Sequence, residues 1–149
     1  MFKYYNNMEK IKNFKKFVNS ETLNEKTFMK ENYNMLTEMA AIGNINSKLC
    51  IYVRMNDPGK IPHFHIVDQS TLGSVFHTCV KIKVAEYFHH TGKEDVLNSS
   101  QRRDLVKFLN GKDKWGESNW TVLIKEWDRN NPDVEIDINT PMPDYTKLI

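Results

Sequence analysis

Three stretches of the chain alternate apolar and polar residues, and that alternation restricts what the middle of the molecule can become. In LCIYVRM, Leu49, Ile51, Val53 and Met55 fall on one side, and Cys50, Tyr52 and Arg54 on the other. IPHFHIV repeats the pattern, with Phe64 and Ile66 against His63, His65 and Val67. In VFHTCVKI, Phe76, Val80 and Ile82 oppose His77 and Cys79. Successive side chains of a strand point to opposite faces, so each stretch reads as a half-buried β-strand. The connectors NDPGK and QSTLGS supply the turn-forming residues that close hairpins, and a three-stranded antiparallel meander is predicted.

Register then decides which side chains meet. Closing the first turn between Asn56 and Ile61 sets Arg54 opposite His63, Val53 opposite Phe64 and Tyr52 opposite His65. Pairing Ile66 with Phe76 keeps the apolar face continuous in the second hairpin, and sets His65 opposite His77 and His63 opposite Cys79. A slip of one residue would turn the histidines toward the core, so burial selects this parity. One sheet face is therefore expected to carry Cys50, Tyr52, Arg54, His63, His65, His77 and Cys79.

The flanks read as helices. Ile11, Phe14, Phe17 and Val18 recur at helical spacing with lysines on the other side, and a second helical stretch through Phe28, Met29, Leu36 and Met39 ends at Gly43. Residues 1–45 are accordingly expected to be an N-terminal helical arm, suited to docking on a protein partner, and residues 46–149 a single α+β domain. In the looser segment KVAEYFHHTGKEDV, Tyr87 and Phe88 would anchor a loop whose His89 and His90 face water or close over the sheet as a flap. Asn98 and Gln101 form a capping box for a helix with Leu105, Val106, Phe108 and Leu109 on its apolar face, closed by Gly111. Trp120, Leu123, Ile124 and Trp127 mark a further helix starting at Ser118 or Asn119, and both helices should pack on the apolar face of the meander. DVEIDIN alternates like an edge strand, and TPMPDYTKLI reads as an extended surface segment.

Composition narrows the classes. A chain of 149 residues that is 40% hydrophobic can bury a core of its own, and a net charge of +2 does not announce nucleic acid. The first twenty residues do carry Lys3, Lys10, Lys12, Lys15 and Lys16 against Glu9 alone, a solvated basic face. Two cysteines with no CxxC pair point to a reducing compartment, such as a cytoplasm. No apolar run approaches the roughly 20 residues that span a bilayer, and the N-terminus lacks a secretion signal's apolar core, so no membrane association is expected.

The chemistry on offer lies on the histidine face. Its simplest reading is a solvated or helix-covered surface in which the imidazoles are satisfied by carbonyls and water, as in a non-catalytic structural or interaction protein. Alternatively Tyr52, Arg54, His63, His65 and His77 hold an anionic ligand or a nucleic acid. A catalytic version gives His63, His65 and His77 acid and base roles in metal-independent RNA cleavage, with Arg54 and Tyr52 on the phosphate. No cofactor is expected on this view. The alternative is zinc, because imidazole and thiolate are good zinc ligands and His63, His65, His77 and Cys79 could surround one ion. Against it, no carboxylate follows at cupin spacing, and Val67 stands where a HxHxH motif needs its last histidine. No phosphate loop, GxSxG elbow or HExxH motif supports a larger enzyme class.

IYVRMNDPGKIPHFHI resembles a family of small uncharacterised bacterial proteins, a domain of unknown function with a Pro-Pro-His-Phe-His-Val strand. Asp57, Pro62, His63, Phe64 and His65 match, whereas Ile61 replaces the first proline, and Gly59 and Lys60 depart from the usual turn. The resemblance runs from Leu49 to about Ile82 and implies a setting in toxin and antitoxin-like cassettes, without fixing a catalytic role. MEKIKNFKKFVNSETLNE is similar to the leader MKxIKxFxxFVNE of proteins from phages of gut Bacteroidetes. The two likenesses imply a phage or mobile-element origin, a location in the cytoplasm of a bacterial host cell, and virion association as the alternative.

Overall fold

In the computed structural model, residues 39–55, 61–89, 92 and 94–149 are described. The alternation is realised as a four-stranded antiparallel sheet in the order β1-β2-β3-β4, with β1 at Met39–Asn44, β2 at Leu49–Arg54, β3 at His63–Asp68 and β4 at His77–Lys81. Two helices follow, α1 at Ser99–Asn110 and α2 at Asn119–Asn130, and then two short 3-10 helices at Pro132–Val134 and Tyr145–Lys147. The class is α+β, as expected, with one strand more than the meander predicted.

The additional strand comes from the end of the stretch read as helical arm. MAAIGN pairs with β2 from Met39 opposite Arg54 to Asn44 opposite Cys50, with a bulge between Ala41 and Gly43. Gly43 is therefore a strand residue and not a helix cap. The ring of Phe108 on α1 lies so close that a Cβ at Gly43 would sit 2.7 Å from it, so glycine lets helix and sheet edge meet. The Asn46 side chain closes the turn to β2 by accepting the backbone N–H groups of Lys48 and Leu49. The rest of the predicted arm, and the turn from Asn56 to Lys60, lie outside the described residues.

Between β2 and β3 the register is the expected one, running from Leu49 opposite Asp68 to Tyr52 opposite His65. Between β3 and β4 it is displaced by two residues: His65 faces Cys79, Val67 faces His77 and His63 faces Lys81. Parity, and with it the face of every side chain, is preserved. Asp68 causes the displacement. Its carboxylate accepts the backbone N–H groups of Thr71, Gly73 and Phe76 and the hydroxyls of Ser70 and Thr71, so the connection is a loop wound around one buried anion. The winding needs two left-handed residues, Gly73 at φ 98° and Leu72 at φ 54°, the latter held there with its side chain buried.

The apolar face carries the main core. Leu49, Ile51, Val53, Phe64, Ile66, Val80 and Ile82 from the strands pack with Leu105, Leu109, Trp120, Leu123, Ile124 and Trp127 from the helices. Met55, assigned to the same face, is half exposed beyond the end of β2. α1 begins at the Asn98/Gln101 capping box, and α2 begins at Ser118, whose hydroxyl accepts the Thr121 N–H.

The two tail expectations are overturned. DVEIDIN is not a strand, because its backbone groups are taken by α2: Trp127 donates its indole N–H to the Val134 carbonyl at 2.7 Å, and Asp128 accepts the Ile136 N–H at 2.7 Å. The last segment is not a surface feature, since Tyr145 is fully buried and its hydroxyl donates to the Lys81 carbonyl at 2.8 Å. An aromatic ring with one polar tip suits a core site that ends on a strand carbonyl.

Two stability predictions follow from the sheet. Burial pushes the Asp68 carboxyl up, but the hydrogen bonds from Thr71, Phe76 and Ser70 outweigh it and hold the group down at about 2 against an ordinary 3.8. A depressed acid stabilises the fold above its unfolded value, so this contribution is complete above pH 3.8 and is lost as the pH falls toward 2. Chemical denaturation as a function of pH should show that loss in the native protein and a smaller one in Asp68→Asn. Asp68→Ala should cost on the order of 3 kcal/mol at neutral pH by stranding several donors. Thr78, opposite Ile66, is fully buried with no hydrogen-bond partner for its hydroxyl among the described residues. Thr78→Val should therefore stabilise the protein by about 1 kcal/mol in the same measurement.

Candidate metal centre

The second face of the sheet is as buried as the first. His63, His65, Cys50, Tyr52, Val67 and Cys79 are at most 2% exposed, and only His77 and Arg54 of the predicted face retain partial exposure. β3 is consequently buried along its whole length on both sides. The alternation placed these residues together correctly, but polar and titratable side chains did not make the face an open one.

The face divides into three parts. Cys50, Tyr52 and Val67, with Ala41 beside them, form a small apolar cluster in which the Cys50 thiol donates to the Val67 carbonyl at 3.5 Å. Burial, reinforced by the adjacent Cys50, pushes the Tyr52 phenol well above its ordinary range, so Tyr52 stays protonated. At the far end of β3, His63 uses Nδ1 against the Ile61 carbonyl at 2.6 Å, and since a carbonyl only accepts, that nitrogen carries the proton. Its ring lies 4.4 Å from Phe88 and 5.6 Å from Trp127, centroid to centroid.

Between these parts, His65, His77 and Cys79 converge. His65 Nδ1 is 2.9 Å from His77 Nε2, Cys79 Sγ is 3.2 Å from the same His65 nitrogen, and Sγ is 3.6 Å from His77 Nε2. The two imidazole planes are 11° apart, and with centroids 5.2 Å apart the rings meet edge to edge through these two nitrogens. Register explains the grouping: His65 and Cys79 are directly opposite, and His77 is two residues from Cys79 on the same face. The expected register would have paired His65 with His77 and His63 with Cys79, so His63 belonged to the four-residue donor set read from the sequence. The structure gathers three of those four, all within 4.8 Å of one another, and His63 is not among them.

This triangle has an uncommon property. An imidazole nitrogen has one in-plane direction, occupied either by a proton or by a lone pair, and cannot donate to one neighbour while accepting from another. The Cys79 thiol can both accept from one imidazole and donate to the other, so hydrogen bonds can serve the three atoms; what sets the group apart is that all three are metal-ligating atoms close enough to share one ion. A cation at the centre meets three lone pairs at once. Tetrahedral zinc, with Zn–N near 2.05 Å and Zn–S near 2.3 Å, requires about 3.3 Å between nitrogens and about 3.6 Å from nitrogen to sulfur. The observed edges of 2.9, 3.2 and 3.6 Å come within a few tenths of an ångström of that triangle.

The loop after β4 fixes the exposed side of the group. Phe88 donates its N–H to the Cys79 carbonyl, and the Tyr87 hydroxyl accepts the Leu97 N–H, so these two aromatics do anchor the segment. Asp95 holds His77 from two sides, accepting its N–H at 2.9 Å and donating its own N–H to the His77 carbonyl at 2.8 Å. Burial lowers the His77 pKa, opposed by the Glu94 and Asp95 carboxylates and assisted by Arg54. His89 is exposed and lies 3.6 Å from the buried Glu94 carboxylate, whereas His90 lies outside the described residues. The sequence reading missed Glu94 and Asp95; an acidic pair in a loop carries no signal until β4 is seen beside it.

A scan of family models finds no match to the chain, and searches of curated proteins and of solved structures find none. No helix among the described residues is long and apolar enough to cross a membrane.

Proposed function

We propose that the protein is a small non-catalytic structural or interaction protein of a phage or mobile element, and that His65, His77 and Cys79 hold a zinc ion that ties β3 to β4. The observation that carries the metal is the convergence of two imidazole nitrogens and a thiol sulfur, all good zinc donors, at one point of the sheet face. Burial favours the non-catalytic part: a face binding an anion or RNA through its imidazoles needs His63 and His65 to meet the ligand, and they are 0% and 2% exposed. The same burial weighs against the metal-independent ribonuclease, whose acid and base must both reach the scissile phosphate. The phage or mobile-element setting rests on the leader and on the His-Phe-His strand described above. A protein partner engaged through the N-terminal arm belongs to the same proposal.

Metal analysis of protein purified without added chelator should find close to one zinc per chain. His77→Ala and Cys79→Ala should lose it, while Cys50→Ala should keep it. Zinc at a hundredfold excess over its Kd should add about 2.7 kcal/mol to stability, a rise in Tm of roughly 10 °C over the chelator-treated protein. Substoichiometric metal together with an unchanged Tm on zinc addition would remove the reading.

A further inference from the structure

With the histidine face closed, a polyanion has to be met elsewhere on the molecule, and the outer side of α1 offers a place. We propose that single-stranded nucleic acid lies along a row formed by Arg103, Lys107 and Lys112, with one base stacked on Trp115. The inference does not depend on the zinc reading.

The row follows from helical spacing. Ser100, Arg103, Lys107 and Asn110 are exposed and recur at intervals of three and four residues, which places them on one side of α1. The helix's one carboxylate, Asp104, borders that side and accepts the Asn46 amide at 3.4 Å. Arg103 and Lys107, four residues apart, repel each other, and an anion laid between them relieves the repulsion. Neither they nor the exposed Lys112 takes part in an ion pair among the described residues.

The aromatic end of the row is a rigid loop. α1 closes at Gly111, and the hairpin that follows pairs Lys112 with Ser118. Asp113 Oδ1 accepts the backbone N–H groups of Trp115 and Glu117, both at 2.9 Å, and the Asp113 N–H donates to the Glu117 carbonyl at 2.7 Å. Both acids of the loop are thereby committed, Asp113 to those N–H groups and Glu117 to Lys125. The Trp115 side chain at the tip is 76% exposed, whereas Trp120 and Trp127 are buried. No other large apolar side chain between positions 97 and 137 is exposed, so the loop does not carry the apolar patch that a protein partner would bury. An aromatic ring set among cations suits a base on the ring and phosphates on the cations. Because the loop is already ordered, little conformational freedom is lost on binding.

The full-length protein is to be titrated with labelled oligothymidylate and oligouridylate by fluorescence anisotropy at several salt concentrations. Arg103→Gln, Lys107→Gln and Lys112→Gln combined should reduce the steepness of log K against log salt by about 2, as expected for three phosphate contacts on a single strand. Trp115→Ala should weaken binding by about 10-fold at every salt concentration and leave the slope unchanged. It should also abolish the quenching of tryptophan emission that stacking produces in the native protein. The tighter of the two strands tells DNA from RNA, and either supports the surface. No binding of either strand at low salt, or an unchanged slope in the triple variant, overturns the proposal. Equally tight binding of polyglutamate, with Trp115→Ala indifferent, overturns it in favour of an acidic protein partner. All four positions are exposed and remote in sequence from the zinc donors, so each variant should keep its metal, and the zinc reading stands or falls separately.

Discussion

The arrangement of the candidate centre depends on one buried carboxylate. Asp68 ends β3 and gathers three backbone N–H groups and two hydroxyls from the following loop. That satisfies donors that a loop passing under Leu72 would otherwise bury unpaired. It also fixes how many residues the loop consumes, and therefore which residue of β4 comes to rest against His65. With Phe76 returning its carbonyl to the Asp68 N–H, Cys79 is opposite His65 and His77 is opposite Val67. A turn-capping interaction on the loop thus determines the donor set on the face of the sheet.

Burial of both faces changes what the histidines mean. On an open sheet, imidazoles are interchangeable surface polar groups, and water completes whatever their neighbours do not. Here each must find a partner within the protein, and the partners found differ along β3: a carbonyl and two aromatic rings for His63, another histidine and a thiol for His65. Residues with the same name and the same face, two positions apart, consequently enter different chemistry. The Tyr52, Cys50 and Val67 cluster shows the same rule on the neighbouring strand, where a phenol and a thiol behave as core residues.

Much of the fold was legible because it rests on local periodicity. β2, β3 and β4, the face to which each of their side chains points, the capping box of α1 and the start of α2 all follow from alternation, helical spacing and cap chemistry within a few residues. What escaped depends on contacts distant in sequence. MAAIGN carries no alternation of its own and becomes a strand because β2 offers an edge, while Gly43 admits Phe108 from α1. DVEIDIN alternates well, yet Trp127 and Asp128 claim its backbone groups first. Tyr145 looked like tail and is core, since only the assembled sheet presents the Lys81 carbonyl to its hydroxyl. For the site, composition and face were readable from the sequence, but the membership of the donor triangle was not, because a shift of two residues conserves every face and exchanges every neighbour.

That last property bears on what an ion would do for the sheet. The apolar face cannot distinguish registers two residues apart as sharply as it rejects a slip of one, because both keep the same side chains in the core. In the register expected from the sequence, the donors separate into His65 with His77 and His63 with Cys79. In the observed register they collapse into one triangle. An ion with three ligands on two adjacent strands therefore favours the observed register alone. It would act from the middle of the hairpin in the same sense as Asp68 acts from its closed end. Parity is selected by hydrophobic burial, and within that parity the Asp68 loop holds the register that brings the three donors together.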